Sequence, residues 1–234
     1  MKFDEKDVII INGRRAILGP EEPMDGKNPD HYDKTKYVIS KQGDVLTHTK
    51  LILETLKDES FELQMAALLH DIGKFETFEE RPDGTIGAHG HAEVGAVKAE
   101  EILRKLKFSN DQIVHITALV GDHMKAHHCM DMKKSTLRRL IAEPHFDDLI
   151  KLAEADDGAS KKDFRAVKFL KQKRSEFASE IKLPDPLVKG ADLISLGLKP
   201  GPQFKELLET IMNAQLEGTV STKEDGLKLV REML

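Results

Sequence analysis

The sequence predicts an all-α protein, a helical bundle preceded by a small β-hairpin. From residue 43 onward, apolar residues recur at three- and four-residue steps, which is the spacing of an amphipathic helix. Aromatic residues make up only 5% of the chain, which argues against a large sheet. Near the N-terminus, the short apolar runs 8–11 and 16–18 flank Asn12-Gly13, the dipeptide that most strongly signals a tight hairpin. These three observations fix the expected class.

The elements are expected in a simple order after the hairpin. The first helix carries Val45, Thr49 and Ile52 on one face. Polar residues that favour helix starts precede two of the later helices, at 109–111 and at 221–222. Further helices are predicted at about 60–71, 91–107, 110–125, 135–142, 144–157, 161–181, 203–216 and 222–233.

Glycine and proline divide the chain. Glycines interrupt residues 72–90, which are expected to form a loop, and a cluster of prolines and glycines in 184–202 marks a linker. The predicted domains are therefore an N-terminal hairpin and lead-in (1–42), a helical domain (43–183) and a C-terminal helical extension (184–234).

Composition excludes several classes of protein. With 36 basic and 41 acidic residues, the net charge of -5 argues against a general polyanion binder. The single cysteine, Cys129, forms neither an internal disulfide nor a cysteine zinc site. No apolar run approaches the roughly 20 residues of a membrane helix, and the charged N-terminus does not resemble a signal peptide. A cytoplasmic protein without a membrane partner is expected.

Histidines indicate where the chemistry lies. The chain has ten, and seven of them fall between His70 and His128. His70-Asp71 directly follows the apolar segment 65–69, so an imidazole and a carboxylate are delivered together at the rim of a core. A bound cation would compensate their charge.

Three more polar residues lie on apolar helix faces. His48, His123 and Asp156 occupy positions where the periodicity calls for leucine or alanine. If no metal is bound, each needs its own hydrogen-bond partners in the core. One divalent ion shared with His70-Asp71 satisfies them together, and this is the favoured interpretation.

His48, His70-Asp71 and Asp156, in that order and on helices, resemble the HD superfamily of metal-dependent phosphohydrolases. The resemblance covers roughly residues 43–160. It implies an HD-type helical bundle in which these four residues ligate a divalent metal. His91 and His123 match two extra histidines found in members with a second metal, so they are expected to bind a second ion or the phosphate, with Asp71 as a bridging, catalytic ligand.

A narrower resemblance extends to the C-terminal part. The segments 89–91, 154–156, 190–202 and 214–218 are similar to the HD region and tail of bacterial CCA-adding tRNA nucleotidyltransferases. Two departures stand out. Lys205 replaces an expected glycine, and the 47 residues before His48 contain neither the Gly-Ser nor the Asp-x-Asp motif of nucleotidyl transfer. The resemblance therefore implies the hydrolytic half of that family and not the polymerase half.

The predicted function is a stand-alone metal-dependent phosphohydrolase. The mixed ligands suit Mn, Fe, Ni, Zn, Co or Mg, and the ion would activate water against a phosphomonoester or cyclic phosphodiester of a nucleotide or RNA end. Lys74, four residues after His70, is expected to contact a phosphate oxygen; the alternative is an ordinary solvated lysine. The competing hypothesis for the whole chain is an RNA- or tRNA-binding module with a structural or vestigial metal site.

A basic segment bears on the choice between these functions. Residues Lys161 to Arg174 include seven basic residues and one acidic residue. A helix of this kind can hold an RNA backbone. It can equally be the solvated face of an amphipathic helix.

Overall fold

The computed structural model describes residues 8–11, 14–17, 45–80, 86–160, 163–177 and 183–234. This part of the chain is mostly helical, with ten α-helices and a small N-terminal hairpin, as the sequence predicts. None of its helices has the length and apolar character needed to span a bilayer. The expected lead-in, between the hairpin and residue 43, lies outside the described residues.

The N-terminal hairpin consists of β1 (Val8–Ile11) and β2 (Arg14–Ile17). The strands pair antiparallel, with Val8 opposite Ile17 and Ile11 opposite Arg14. The predicted hairpin is confirmed. Its second strand begins two residues earlier than the apolar run at 16–18 indicated, because strand pairing continues up to the two-residue connection.

The chain divides into two compact units, of which the first comprises residues 1–127 and 147–168. After the hairpin its elements are α1 (Val45–Thr55), α2 (Phe61–Leu69), a 3₁₀ helix (Ile72–Phe75), β3 (Phe78–Glu80), β4 (Ile86–Ala88), α3 (His91–Lys105), α4 (Asn110–His127) and all but the first residue of α6 (Phe146–Ala159). The expected domain limits at 42 and 183 stay a prediction.

Helix α2 lies in the core of the first unit. Its start is fixed by Ser60, whose side chain accepts a hydrogen bond from the Leu63 amide. Leu63, Ala66 and Ala67 are fully buried, and residues on the other sides of the helix are buried too. A helix that is apolar all round belongs inside a core, so the residues at its C-terminal end emerge among other packed elements.

The segment after the 3₁₀ helix differs from the predicted loop. Phe78 pairs with Ala88 and Glu79 with Gly87, which makes β3 and β4 a short antiparallel hairpin. Residues 81–85, which include part of the glycine-rich stretch, lie outside the described residues. Three-residue strands give too little periodicity for the sequence to reveal them.

The second unit comprises residues 128–146 and 169–234. Its elements are a 3₁₀ helix (Cys129–Asp131), α5 (Lys134–Ala142), the C-terminal part of α7 (Arg165–Glu176), α8 (Gly190–Ser195), α9 (Pro202–Glu217) and α10 (Lys223–Glu232). One apolar cluster forms the core of its C-terminal part, with Val188, Leu193, Leu207, Ile211 and Val230 as buried members.

The C-terminal helices end and begin where their capping residues predict. Pro202 stands in the first turn of α9, and Gly218, with φ of +85°, ends it. The Thr222 side chain accepts the Asp225 amide hydrogen and the Asp225 carboxylate accepts that of Thr222, which caps α10. The predicted helical pair is confirmed, but the predicted linker contains helix α8, because Leu193 supplies a fully buried side chain to the core.

Candidate metal centre

The His70-Asp71 pair lies in the junction between two helical segments. His70 ends α2 and Asp71 precedes the 3₁₀ helix 72–75. Both residues are buried, with exposed fractions of 2% and 5%. Because α2 is packed on all sides, its last residues enter the core instead of solvent, and the pair needs partners there.

Three histidines in this region share one hydrogen-bond pattern. The Nδ1 atoms of His70, His91 and His123 each lie within hydrogen-bonding distance of the carbonyl three residues earlier in the chain. These carbonyls belong to Ala67 at 2.8 Å, Ala88 at 2.7 Å and Val120 at 2.7 Å. Since a carbonyl only accepts, each Nδ1 carries its hydrogen and each Nε2 is left for another partner. Metal-ligating histidines are usually oriented in this way.

The three Nε2 atoms converge on the carboxylate of Asp71. His70 Nε2 lies 3.2 Å from Oδ2, while the Nε2 atoms of His91 and His123 lie 3.5 Å and 3.9 Å from Oδ1. One carboxylate from the α2 end therefore lies among imidazoles that come from three helical segments. Asp71, His91 and His123 form a group whose ligand atoms all lie within 4.8 Å of one another.

The close contact between the His91 and His123 rings requires a cation. Their Nε2 atoms are 3.1 Å apart. With the hydrogen of each ring on Nδ1, two neutral rings would direct lone pairs at each other. Burial, followed by the nearby His70 charge, lowers the pKa of His123 to about 3, so this ring is neutral near pH 7. A proton on His91 or a metal ion at both nitrogens relieves the contact.

A second group extends the site toward α1. His48, the fourth residue of that helix, forms with His70 and Asp71 another set whose ligand atoms lie within 4.8 Å of one another. His48 Nε2 is also 2.9 Å from Asp156 Oδ1 on α6. The Ser160 hydroxyl donates to the same oxygen at 3.3 Å. Asp71 is thus common to both groups, and Asp156 joins the group of His48, His70 and Asp71 through its contact with His48.

The charges of the central pair support each other. Burial lowers the pKa of His70, but the charge and hydrogen bond of Asp71 outweigh burial, so the net shift is upward. Burial raises the pKa of Asp71, but the charges of His70 and Lys74 outweigh it and hold the pKa well below its ordinary value. Asp71 is therefore ionised at neutral pH, as a metal ligand must be.

Lys74 lies at the same carboxylate. Its Nζ is 2.6 Å from Asp71 Oδ2, and its side chain is 34% exposed. The lysine side chain therefore extends from the protein surface to the centre of the site. An ordinary solvated lysine, which is the alternative, would not make a contact with a buried carboxylate. In this position its ammonium can contact an anion that approaches Asp71.

All six predicted ligands lie in this region, and the structure adds two residues that the sequence interpretation left out. His127 Nε2 is 2.6 Å from Asp156 Oδ2, and its Nδ1 is 3.4 Å from Asp157 Oδ1. The sequence feature that could have identified His127 is its spacing, because it follows His123 by four residues and so shares its helix face. A donor set of imidazoles and carboxylates fits a divalent ion.

The basic residues of the segment from Lys161 to Arg174 have different surroundings. Lys161 and Lys162 lie outside the described residues. Arg174 on α7 donates to the Ile141 carbonyl and lies over the Phe146 ring, so it packs within its own unit. Lys168 and Lys171 have exposed side chains and are three residues apart on α7, which makes them neighbours on one face.

Sequence comparisons identify the relatives of this chain. Residues 91–230 match the family described as tRNA nucleotidyltransferase domain 2. The chain belongs to this family. The match confirms the expected relationship to tRNA nucleotidyltransferases, and it includes His91, His123, Asp156 and helix α7.

Two curated relatives of this tRNA nucleotidyltransferase domain 2 chain agree with the match. The A-adding tRNA nucleotidyltransferase of Deinococcus radiodurans is 30% identical over 191 residues, which are 77% of this chain and 43% of that protein. The CC-adding tRNA nucleotidyltransferase of Thermus thermophilus is 33% identical over 169 residues, 70% of this chain and 38% of that protein. The chain thus spans less than half the length of these relatives.

Proposed function

We propose that the chain is an RNA-related module that binds tRNA or a tRNA-like RNA. The observation that carries this proposal is the match of residues 91–230 to the tRNA nucleotidyltransferase domain 2 family, together with relatives named for acting on tRNA. The relationship supports this function better than it supports hydrolysis, because both of these relatives are named as tRNA nucleotidyltransferases and neither as a hydrolase.

Because the chain is acidic overall, it can bind RNA only through a local group of basic residues. The net charge of -5 gives no general attraction to phosphates, so cations must be grouped on one surface. Lys168 and Lys171 on α7 offer such a pair, and the exposed Arg165 precedes Lys168 by three residues on the same helix. This face of α7 is the part of the basic segment that the proposal assigns to RNA phosphates.

A binding assay tests the proposal directly. Labelled tRNA, titrated with the full chain at several salt concentrations, should bind, and affinity should fall as salt rises because bound phosphates release counterions. Double-stranded DNA of similar length is the matched control and should bind more weakly. Equal affinity for both nucleic acids, or no binding of tRNA at low salt, would contradict an RNA-related role.

A second function, metal-dependent phosphohydrolysis, is favoured by one specific observation. Three imidazole Nε2 atoms and the Lys74 ammonium converge on the buried Asp71 carboxylate. RNA binding alone gives no reason to build such a centre. The resemblance of His48, His70-Asp71 and Asp156 to the HD superfamily points to the same chemistry.

The roles of the chain's residues in this second proposal follow from the donor chemistry. His48, His70, Asp71 and Asp156 would hold one divalent ion, and Asp71, His91 and His123 would hold a second. Such an ion would polarise a phosphoryl oxygen and would make hydroxide available near neutral pH. Lys74 would orient a phosphate oxygen, and the buried histidines would exclude bulk water from the carboxylate. The substrate class is a phosphomonoester or a cyclic phosphodiester at a nucleotide or RNA end.

A substrate screen tests this second proposal. Cyclic and terminal phosphates of mononucleotides and short RNAs are incubated with the chain and each of Mn, Fe, Ni, Zn, Co and Mg, and phosphate or ring-opened product is measured. Turnover that disappears in Asp71→Asn, but persists in Asp148→Asn on α6, supports the site. Absence of turnover with every metal, alongside tRNA binding, would leave the RNA module as the function.

A further inference from the structure

His127 differs from the other histidines of the metal centre. It is the last residue of α4, and its side chain is only 11% exposed. His70, His91 and His123 each direct Nδ1 at a backbone carbonyl. His127 instead lies between two carboxylates, with Nε2 2.6 Å from Asp156 Oδ2 and Nδ1 3.4 Å from Asp157 Oδ1.

The two oxygens of Asp156 have different surroundings. Oδ1 lies 2.9 Å from His48 Nε2 and accepts the Ser160 hydroxyl. Oδ2 lies against His127. A carboxylate held on one side only can turn about its terminal torsion, which is broad and roughly two-fold. Contacts on both oxygens select the orientation in which Oδ1 stays beside His48.

We propose that His127 is a positioning residue, which holds Asp156 in the orientation that presents Oδ1 to the metal centre. It acts through Asp156 and ligates no metal itself. The inference rests on the proposed metal centre. It assigns a role to the one imidazole, among the residues that the structure describes, whose buried Nε2 has no aligned hydrogen bond.

Asp157 provides the contact to the other nitrogen of the His127 ring. It is 3% exposed and follows Asp156 directly in α6, so the two side chains leave the helix in different directions. His127 bridges them. The Nδ1 contact to Asp157 fixes the orientation of the imidazole ring. The Nε2 contact then fixes the orientation of the Asp156 carboxylate.

Two isosteric substitutions separate the contacts. The amide nitrogen of glutamine can take the place of Nε2, and that of asparagine the place of Nδ1. His127→Gln therefore retains the donor to Asp156, His127→Asn retains only the donor to Asp157, and His127→Leu removes both. The probe is Mn²⁺ alone, whose binding to the full chain is followed by loss of the free-ion paramagnetic resonance signal.

The three His127 variants should lose different amounts of Mn²⁺ affinity. The dissociation constant for Mn²⁺ should rise about 10- to 100-fold in His127→Leu and His127→Asn, the usual effect of losing a partner that orients a metal ligand. His127→Gln should stay within about threefold of the native chain, which is below that range. A crystal structure of His127→Leu should have the Asp156 carboxylate turned from the orientation it has in the native chain.

A matched control is available on the same pair of helices. His115 on α4 contacts Asp148 on α6 through Nε2 at 2.9 Å, in the same way that His127 contacts Asp156, but it is not part of the metal centre. His115→Leu should change the thermal midpoint without changing Mn²⁺ affinity. If His127 only joined the two helices, His127→Leu would behave like His115→Leu.

The outcomes distinguish this inference from the proposed centre. If the native chain binds Mn²⁺ and all His127 variants bind it equally, His127 has no positioning role and the centre stands. If His127→Gln loses as much affinity as His127→Leu, the imidazole is itself a ligand and the positioning role is overturned. If the native chain binds no divalent ion, the centre and the role of His127 both fall.

Discussion

Gly73 and Gly95 bring two stretches of backbone into contact beside the metal centre. A Cβ atom built on Gly73 would lie 2.7 Å from the Gly95 amide nitrogen, a distance that real Cβ contacts do not reach. The absence of a side chain at Gly73 therefore lets the 3₁₀ helix 72–75 lie against the start of α3. This approach sets the 3.5 Å separation of Asp71 Oδ1 and His91 Nε2.

Replacing Gly73 should disrupt the centre from outside its ligand set. Gly73→Ala requires α3 to shift, which carries His91 away from Asp71. The stability cost should be of the order of overpacking, about 1–3 kcal/mol, and Mn²⁺ binding should weaken. Urea unfolding and metal titration measure the two effects.

The control for Gly73 is another glycine of the same unit. A Cβ on Gly121, within α4, would meet only the Ala96 Cβ at 3.5 Å, an ordinary contact. Gly121→Ala should leave metal affinity unchanged and should not destabilise the fold, because alanine is the better helix former. Equal behaviour of the two variants would contradict the role given to the Gly73 approach.

Asp71 should matter more than any other ligand, because it belongs to both groups of donors. Asp71→Asn should remove all detectable divalent metal. His91→Gln and His123→Gln should each remove one ion and leave binding at His48, His70 and Asp71. Metal analysis of the dialysed proteins measures the stoichiometry, and circular dichroism checks that helicity is retained. Equal loss in all three variants would mean that the centre holds a single ion.

The stability of the metal-free chain should depend on pH through His70. Its pKa is raised above the ordinary value of 6.5, so its contribution is complete below pH 6.5 and is lost as pH rises through the raised pKa. Asp71 has a pKa below its ordinary 3.8, so its contribution is present above that pH and is lost only as pH falls through the lowered pKa. Stability from this pair is greatest between these ordinary values.

Unfolding by urea with a chelator present measures this dependence. The difference in the free energy of unfolding between the native chain and His70→Gln should be larger at pH 6 than at pH 9. Added Mn²⁺ should reverse the loss at high pH, because the ion takes the place of the proton. A difference that is constant from pH 6 to pH 9 would contradict the coupling of His70 to Asp71.

Much of the centre could be predicted from sequence because its residues break a pattern. His48, His123 and Asp156 interrupt apolar helix faces, and His70-Asp71 ends an apolar helix. Such interruptions are visible without knowledge of tertiary structure, since burying them requires compensation. Helix positions followed from the same periodicity, to within a few residues at their ends.

Other features depend on contacts that a sequence does not display. His127 is the last residue of α4, whereas its partner, Asp156, comes from another helix, and the sequence does not show that the two residues meet. The role of Arg174 was hidden for the same reason. It looks like its basic neighbours, but its guanidinium packs on Phe146 and bonds the Ile141 carbonyl. The short strands β3 and β4 and helix α8 carry too few residues for a period to be detected.

The last prediction separates the two functions through α7. Reversing the charges of Lys168 and Lys171 should weaken tRNA binding, and each lost phosphate contact should reduce the slope of log affinity against log salt by about 0.7 to 0.9. Arg174 is left in place because its packing makes it unsuitable for charge reversal. Lys105→Glu with Lys228→Glu, which alters two exposed lysines elsewhere with the same change in net charge, is the control and should bind tRNA nearly as the native chain does.

Turnover measured on the same variants completes the test. If the chain is an RNA-end hydrolase, Lys168→Glu with Lys171→Glu should raise the KM for RNA ends and leave hydrolysis of a cyclic mononucleotide almost unchanged, because no ligand of the metal centre is altered. If the chain is a binding module, tRNA binding should be salt-sensitive and neither substrate should turn over with any metal. Turnover of the mononucleotide without measurable RNA affinity would contradict the RNA module and retain the metal centre, because hydrolysis would then need only the residues around Asp71.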